Sequence, residues 1–145
     1  MRIPIAVIAL LSGAHIAGAA EIWSASELKG SAAKLAPEAE AKGIAGATLG
    51  GATLWRRAKS GQAEFHKTKT DLLVIEEGSA TLIVGGTIPD AKPTAPNELR
   101  GSTIRGGESR KVAPGDIIRI PAGTPHQFVL DKGQSVAYFA LKLAR

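Results

Sequence analysis

Gly115-Asp116-Ile117-Ile118-Arg119-Ile120-Pro121-Ala122-Gly123-Thr124-Pro125-His126 reads as one unit: a turn glycine, a short apolar strand, a corner stiffened by two prolines, and a histidine delivered to the next strand. Proline fixes its own φ and glycine adopts conformations closed to other residues, so such a corner holds its histidine in one place. A second stretch, Gly61-Gln62-Ala63-Glu64-Phe65-His66-Lys67-Thr68-Lys69-Thr70-Asp71, runs into an apolar strand that ends at Gly78. Glu64 and His66 are two apart, and on a strand that spacing puts both side chains on one face with Phe65 on the other. Asp71 lies an odd number of positions from His66, so it joins them only if Lys67 to Thr70 turns the chain. Together the stretches collect Glu64, His66, Asp71 and His126, two carboxylates and two imidazoles, a donor set suited to a divalent transition metal.

Working outward, the region around these stretches keeps the period of a strand. Thr53 to Lys59, Gln62 to Thr68, Leu72 to Glu76 and Ala80 to Val84 are apolar or alternating runs cut by Gly61, Gly78 and Gly85-Gly86. The habit resumes in Arg110 to Ala113, Asp116 to Ile120, Gln127 to Leu130 and Ser135 to Leu143. Many short strands at near-regular spacing predict an antiparallel sandwich or barrel. Between the two sets, Thr87 to Gly107 carries Pro89, Pro93 and Pro96 and few bulky apolar residues, so it reads as a long connection, either a plain surface excursion or a lid over a pocket mouth. Before the strands, Ser26 to Ala36 predicts a short helix, with Ser24 or Ser26 as N-cap and Pro37 as its stop. Glu38 to Lys42 extends that helix past a break, and the glycines from Gly43 to Gly51 predict loop or irregular strand.

The 145-residue chain begins with Met1-Arg2, an apolar run from Ile3 to Leu11, and small residues from Ser12 to Ala20. That layout is the one of a secretory signal peptide cleaved near Ala20 or Glu21. The apolar run is shorter than the roughly 20 residues a spanning helix needs, so no stable membrane anchor is expected after cleavage. The expected organisation is a signal peptide over 1–20, a helical and irregular leader over 21–50, and one barrel domain over 51–145, in a periplasmic or secreted protein. There is no cysteine, which removes disulfides, zinc–thiolate sites and thiol nucleophiles. The formal net charge is +5, but the basic residues lack the interleaved aromatics that stack on single-stranded nucleic acid, so no nucleic-acid partner is expected. No Gly-Lys-Ser/Thr phosphate loop and no Gly-x-Ser-x-Gly nucleophile elbow occurs.

The paired stretches resemble the two motifs of the cupin superfamily. Gly115, Pro121, Gly123 and His126 match the second motif, a glycine, five residues, Pro-x-Gly, two residues and a histidine. In the first motif His66 falls at the second histidine and Asp71 and Gly78 keep the closing spacing, while Glu64 replaces the first histidine and Asp71 the usual glutamate. Leu130 stands where the family often has asparagine. The chain also looks like a narrower group of small bacterial cupins with Glu-x-His, a following Asp, a paired glycine like Gly85-Gly86 and a Pro-His-x-Phe ending like Pro125 to Phe128. The resemblance covers about Thr53 to Leu143. It implies an all-β fold, a cupin-type double-stranded β-helix (jelly-roll barrel), here with a short N-terminal helix, and a metal bound by Glu64, His66, Asp71 and His126.

The same residues admit plainer roles. A strand histidine is commonly satisfied by hydrogen bonds, Glu64 can partner a nearby lysine or arginine, and Asp71 can cap a turn. Trp23 and Trp55 are expected to pack, and Phe128 and Tyr138 to line either core or pocket, where they are the candidate substrate-binding pair. The function implied is a metal-binding cupin acting on a small, anionic organic substrate with dioxygenase-, isomerase- or lyase-like chemistry, the metal being Fe, Mn, Ni or Zn. The alternative is a non-catalytic small-molecule or metal-binding barrel. No catalytic residue separate from the metal ligands is named. A homodimer is expected from the resemblance alone.

Overall fold

Period-two alternation along the second half of the chain requires a sheet with one face buried, and two such sheets must cover one another. The computed structural model describes residues 14–16, 20–37, 43–49 and 51–144. The expected signal segment therefore lies outside the described residues, apart from Ala14–Ile16 and Ala20, and so do the helix extension over 38–42 and Gly50. The described residues contain no helix long and apolar enough to cross a membrane.

A small ribbon comes first, β1 (Ala14–Ile16) paired with β2 (Ala20–Ile22). Helix α1 (Ala25–Lys34) follows, with Ser24 as its N-cap. Glu27 donates its backbone N–H to Ser24 Oγ at 3.3 Å, and Ser24 returns its own N–H to the Glu27 carboxylate at 2.7 Å. This reciprocal capping satisfies donors that the first helical turn leaves free.

Among the described residues eleven strands build the body: β3 (Ile44–Leu49), β4 (Ala52–Arg57), β5 (Ala63–His66), β6 (Lys69–Gly78), β7 (Ala80–Val84), β8 (Lys92–Ala95), β9 (Glu98–Gly101), β10 (Glu108–Val112), β11 (Ile117–Ile120), β12 (His126–Val129) and β13 (Val136–Ala144). They form a six-stranded sheet in the order β10-β7-β12-β5-β9-β8 and a five-stranded sheet in the order β11-β6-β13-β4-β3, with antiparallel pairing throughout. The inner faces meet in a core of Leu73, Ile75, Ala80, Leu82, Val112, Ile120, Phe128, Leu130, Val136 and Tyr138, with Trp55 packed against it. α1 covers the outside of the five-stranded sheet, where Ala32, Leu49, Leu54 and Ala137 pack with Trp23, Leu28, Leu35 and Phe139.

Two expectations are refined here. The glycine-rich stretch after Gly43 is a regular strand paired along its length with β4, and Gly46 leaves room there for the Trp55 ring. The stretch Thr87 to Gly107 is more than an unstructured connection: its middle folds into the β8–β9 hairpin and extends the six-stranded sheet. Its prolines hid this, yet Pro93 sits in the outermost strand, where a missing backbone donor costs no ladder bond.

Candidate functional site

The first motif is split between the two sheets. Glu64 and His66 leave β5 on the inner face of the six-stranded sheet, and Lys67 and Thr68 bend the chain across to the other sheet. β6 then carries Asp71, Leu73 and Ile75 inward at alternate positions, so Asp71 returns to face His66 in spite of the odd spacing. The second motif supplies its histidine from beside the first: β12 lies next to β5, with His126 the Cα partner of Glu64. The corner before it needs Gly123 at φ 80°, and Gly123 donates its N–H to the His66 carbonyl at 2.8 Å. The backbone thus ties the two histidine positions together.

All four side chains named from the sequence converge. The His66 and His126 rings are 5.2 Å apart between centroids and tilted by 50°. Asp71 Oδ2 lies 3.3 Å from Nε2 of each ring, and Glu64 Oε2 lies 3.5 Å from His66 Nε2. One ligand atom from each of Glu64, His66 and His126 falls within 4.8 Å of the others. His66, Asp71 and His126 are buried.

Each histidine is oriented from behind. His66 donates Nδ1–H to the Glu98 carboxylate, and His126 donates Nδ1–H to the Thr124 carbonyl at 3.1 Å. Nε2 of both rings is therefore the nitrogen turned toward the centre, as in metal sites whose outer hydrogen bonds fix the tautomer. Glu64 is held by one oxygen only: Arg57 reaches Oε1 at 3.1 Å and Arg100 reaches it at 2.8 Å, leaving Oε2 toward His66. Arg57 also donates Nε–H to the Tyr138 hydroxyl at 2.8 Å and lies over the Phe128 ring. Phe128 and Tyr138 stack 4.8 Å apart as the buried floor beneath this network. Lys142, the Cα partner of Asp71 across β13 and β6, donates to Asp71 Oδ1 at 2.6 Å and sits 2.9 Å from His66 Nε2.

The electrostatics follow from these contacts. Burial pushes the Glu64 carboxyl up, but the hydrogen bond with His66 and the charges of Arg100 and Arg57 outweigh it and hold the group well below the usual carboxylate range. Burial likewise opposes ionisation of Asp71, and hydrogen bonds with His126, His66 and Lys142 overcome it, so Asp71 is also held low. For His66, burial disfavours the charged ring, while hydrogen bonds with Asp71 and Glu64 raise its pKa to about 9.

Two imidazole nitrogens and a carboxylate oxygen, with a second carboxylate adjacent, suit a divalent transition metal and leave coordination positions for another ligand. The donor chemistry therefore fits a metal held by Glu64, His66 and His126. Asp71 stands beside this set, and Lys142 shares its carboxylate. Arg57, Glu98, Arg100 and Lys142 were not found from the sequence. Lys142 had a readable signal, since Tyr138, Ala140 and Lys142 alternate on one face of the last strand. Glu98 and Arg100 had none, because their strand is short and lies in a proline-rich stretch.

No protein-family model matches the chain, and no curated protein matches it. Among solved structures, the chain is similar to the Thermus thermophilus protein TT1209, at 15% identity over 73% of this chain and 88% of that one, with a TM-score of 0.51. It is also similar to a cupin 2 conserved barrel domain protein from Rhodopseudomonas palustris, at 19% identity, 74% and 66% coverage and a TM-score of 0.48. A polyketide cyclase from Streptomyces resistomycificus matches at 21% identity over 73% of this chain and 58% of that one, with a TM-score of 0.42. The chain spans 36% to 62% of the length of several of the solved proteins it resembles, the cyclase among them. With two facing antiparallel sheets, each motif running from one sheet to the other, and the two motif histidines on adjacent strands turned to a common centre, the chain has the cupin fold.

Proposed function

We propose that this protein binds a divalent transition metal through Glu64, His66 and His126 and acts on a small, anionic organic molecule, as an exported protein. The observation that carries the reading is the convergence of those three ligand atoms within 4.8 Å, each on a side chain fixed from behind by another group. A preset donor set of this kind loses little order on taking up an ion. When bound, such an ion supplies Lewis-acid or redox chemistry to a substrate oxygen. The chain's own part is to hold the donors, to exclude water with the Phe128–Tyr138 floor, and to draw in negative charge. Arg100 and Lys142 are the most open side chains of the cluster, at 33% and 43% exposure, and both are cationic. Cations at the solvent-facing side of the cluster favour the approach of anions, which supports an anionic ligand.

Elemental analysis of untagged protein purified from its natural host tests the reading. A transition metal near one equivalent supports it. Less than about a tenth of an equivalent of every such metal, with no uptake on reconstitution, ends it.

A second reading is a binding barrel without catalysis. It is favoured by the dense pairing in the cluster, where Glu64, Asp71 and Glu98 each already have a charged or imidazole partner. A screen of small organic acids separates the two: turnover identifies an enzyme, and saturable binding without turnover identifies a binder.

A further inference from the structure

We propose that Lys142 is a built-in competitor for the metal, its ammonium standing where an ion must approach His66 and Asp71, so that it sets the affinity and swings outward on loading. The inference rests on the metal-site reading above. Lys142 Nζ lies 2.9 Å from His66 Nε2, the nitrogen left facing the centre once Nδ1 is given to Glu98. It also lies 2.6 Å from Asp71 Oδ1. An ammonium and a divalent cation cannot both stand at this range from His66 Nε2, because like charges a few ångströms apart in a partly buried site repel strongly.

The other cations of the cluster do not compete in this way. Arg57 and Arg100 both bind Glu64 Oε1, whereas Oε2 is the atom turned toward His66. Among the described residues they hold a ligand in place, and Lys142 alone contacts a donor nitrogen. Its position also gives it somewhere to go. The side chain is 43% exposed and arises two residues before β13 ends at Ala144, so its four-carbon stem can carry the charged head to solvent.

The test uses the full chain stripped with a chelator and titrated with Zn(II) alone against a chromophoric competitor. Lys142→Met is expected to bind Zn(II) at least about tenfold more tightly than wild type, the loss of one charge-assisted contact that the ion must otherwise break. Arg100→Met removes the same charge but frees Glu64, and is expected to bind no more tightly than wild type. A second arm uses the unmodified chain: acylation of Lys142, followed by peptide mass spectrometry, is expected to rise several-fold when Zn(II) saturates the protein. Tight binding by wild type with an unchanged or weaker constant in Lys142→Met overturns the competitor role and leaves the metal site standing. Unchanged or reduced acylation on loading overturns it equally, whatever the folding of the variant. Equal tightening by Arg100→Met reduces the effect to general charge and also overturns it. Absence of Zn(II) binding in both wild type and Lys142→Met removes the metal site itself and the competitor with it.

Discussion

Glu64 and His126 are partners across the single bridged pair that joins β5 to β12. Residues far apart in the chain thus meet on neighbouring strands, and the first and second motifs become one site through that contact. Asp71 and Lys142 close it from the opposite sheet.

Loss of either imidazole should empty the metal site without unfolding the barrel. His66→Ala and His126→Ala are each expected to lower metal content below about a tenth of the wild-type value while the far-ultraviolet circular dichroism stays that of a β protein. Stoichiometric metal in both variants, measured by elemental analysis, rejects the ligand assignment.

Glu98 touches the proposed metal site only through the ring of His66. Glu98→Ala is expected to weaken metal binding by about 10- to 100-fold, in line with the loss of an outer hydrogen bond to a ligating histidine. A titration that finds the wild-type constant shows instead that the ring is held by packing.

Chelator-treated protein should lose stability in both directions of pH. Asp71 and Glu64 have folded pKa values held below their ordinary values of 3.8 and 4.5, so the stability they give is present above about pH 4.5 and is lost as pH falls. His66 has a folded pKa raised from 6.5 to about 9, so its contribution is complete below pH 6.5 and is lost as pH rises through 9. Thermal unfolding of the metal-free protein is expected to show its highest Tm between these limits. His66→Asn should flatten the alkaline side, and a Tm that does not change from pH 6 to 9 in wild type contradicts the ion pairing of His66.

Two motif glycines should differ sharply in their tolerance of alanine. Gly78 has φ 72°, and a Cβ there runs into the Ser135 carbonyl, so Gly78→Ala is expected to be insoluble or to melt far below wild type. Gly123 has φ 80° but open space around it, so Gly123→Ala bears only the backbone strain of about 1 kcal/mol. Equal stabilities in denaturant melts would show that the Ser135 contact relaxes freely.

In the core, Ile75 is 1% exposed between the sheets. Ile75→Ala is expected to cost about 2–5 kcal/mol and to lower the denaturation midpoint with an unchanged slope.

The strands from Thr53 onward were legible because apolar alternation and glycine breaks carry that information locally, and Ala80 to Val84 was read with the bounds the structure shows. The four ligand candidates were legible for a similar reason: the spacing of Glu64 and His66 fixes their common face, and the Pro121–Pro125 corner marks His126. What was hidden depended on contacts between distant parts of the chain. Arg57 lies on the same strand as the packing residue Trp55, and only the fold shows that it reaches Glu64. Glu98 sits in a stretch whose prolines argue against a sheet, until the hairpin is seen at its edge. Asp71 was the doubtful member, since nothing between Lys67 and Thr70 marks a turn. A bend of two ordinary residues sufficed, because the chain there changes sheets rather than reversing within one.

That short crossing makes the site intolerant of changes in length. Adding one residue between His66 and β6 would shift every β6 side chain to the other face, sending Asp71 outward together with Leu73 and Ile75. The turn at Asp131 to Gln134, between β12 and β13, precedes none of the four ligand candidates, so loop grafts and tags belong there and not beside the first motif.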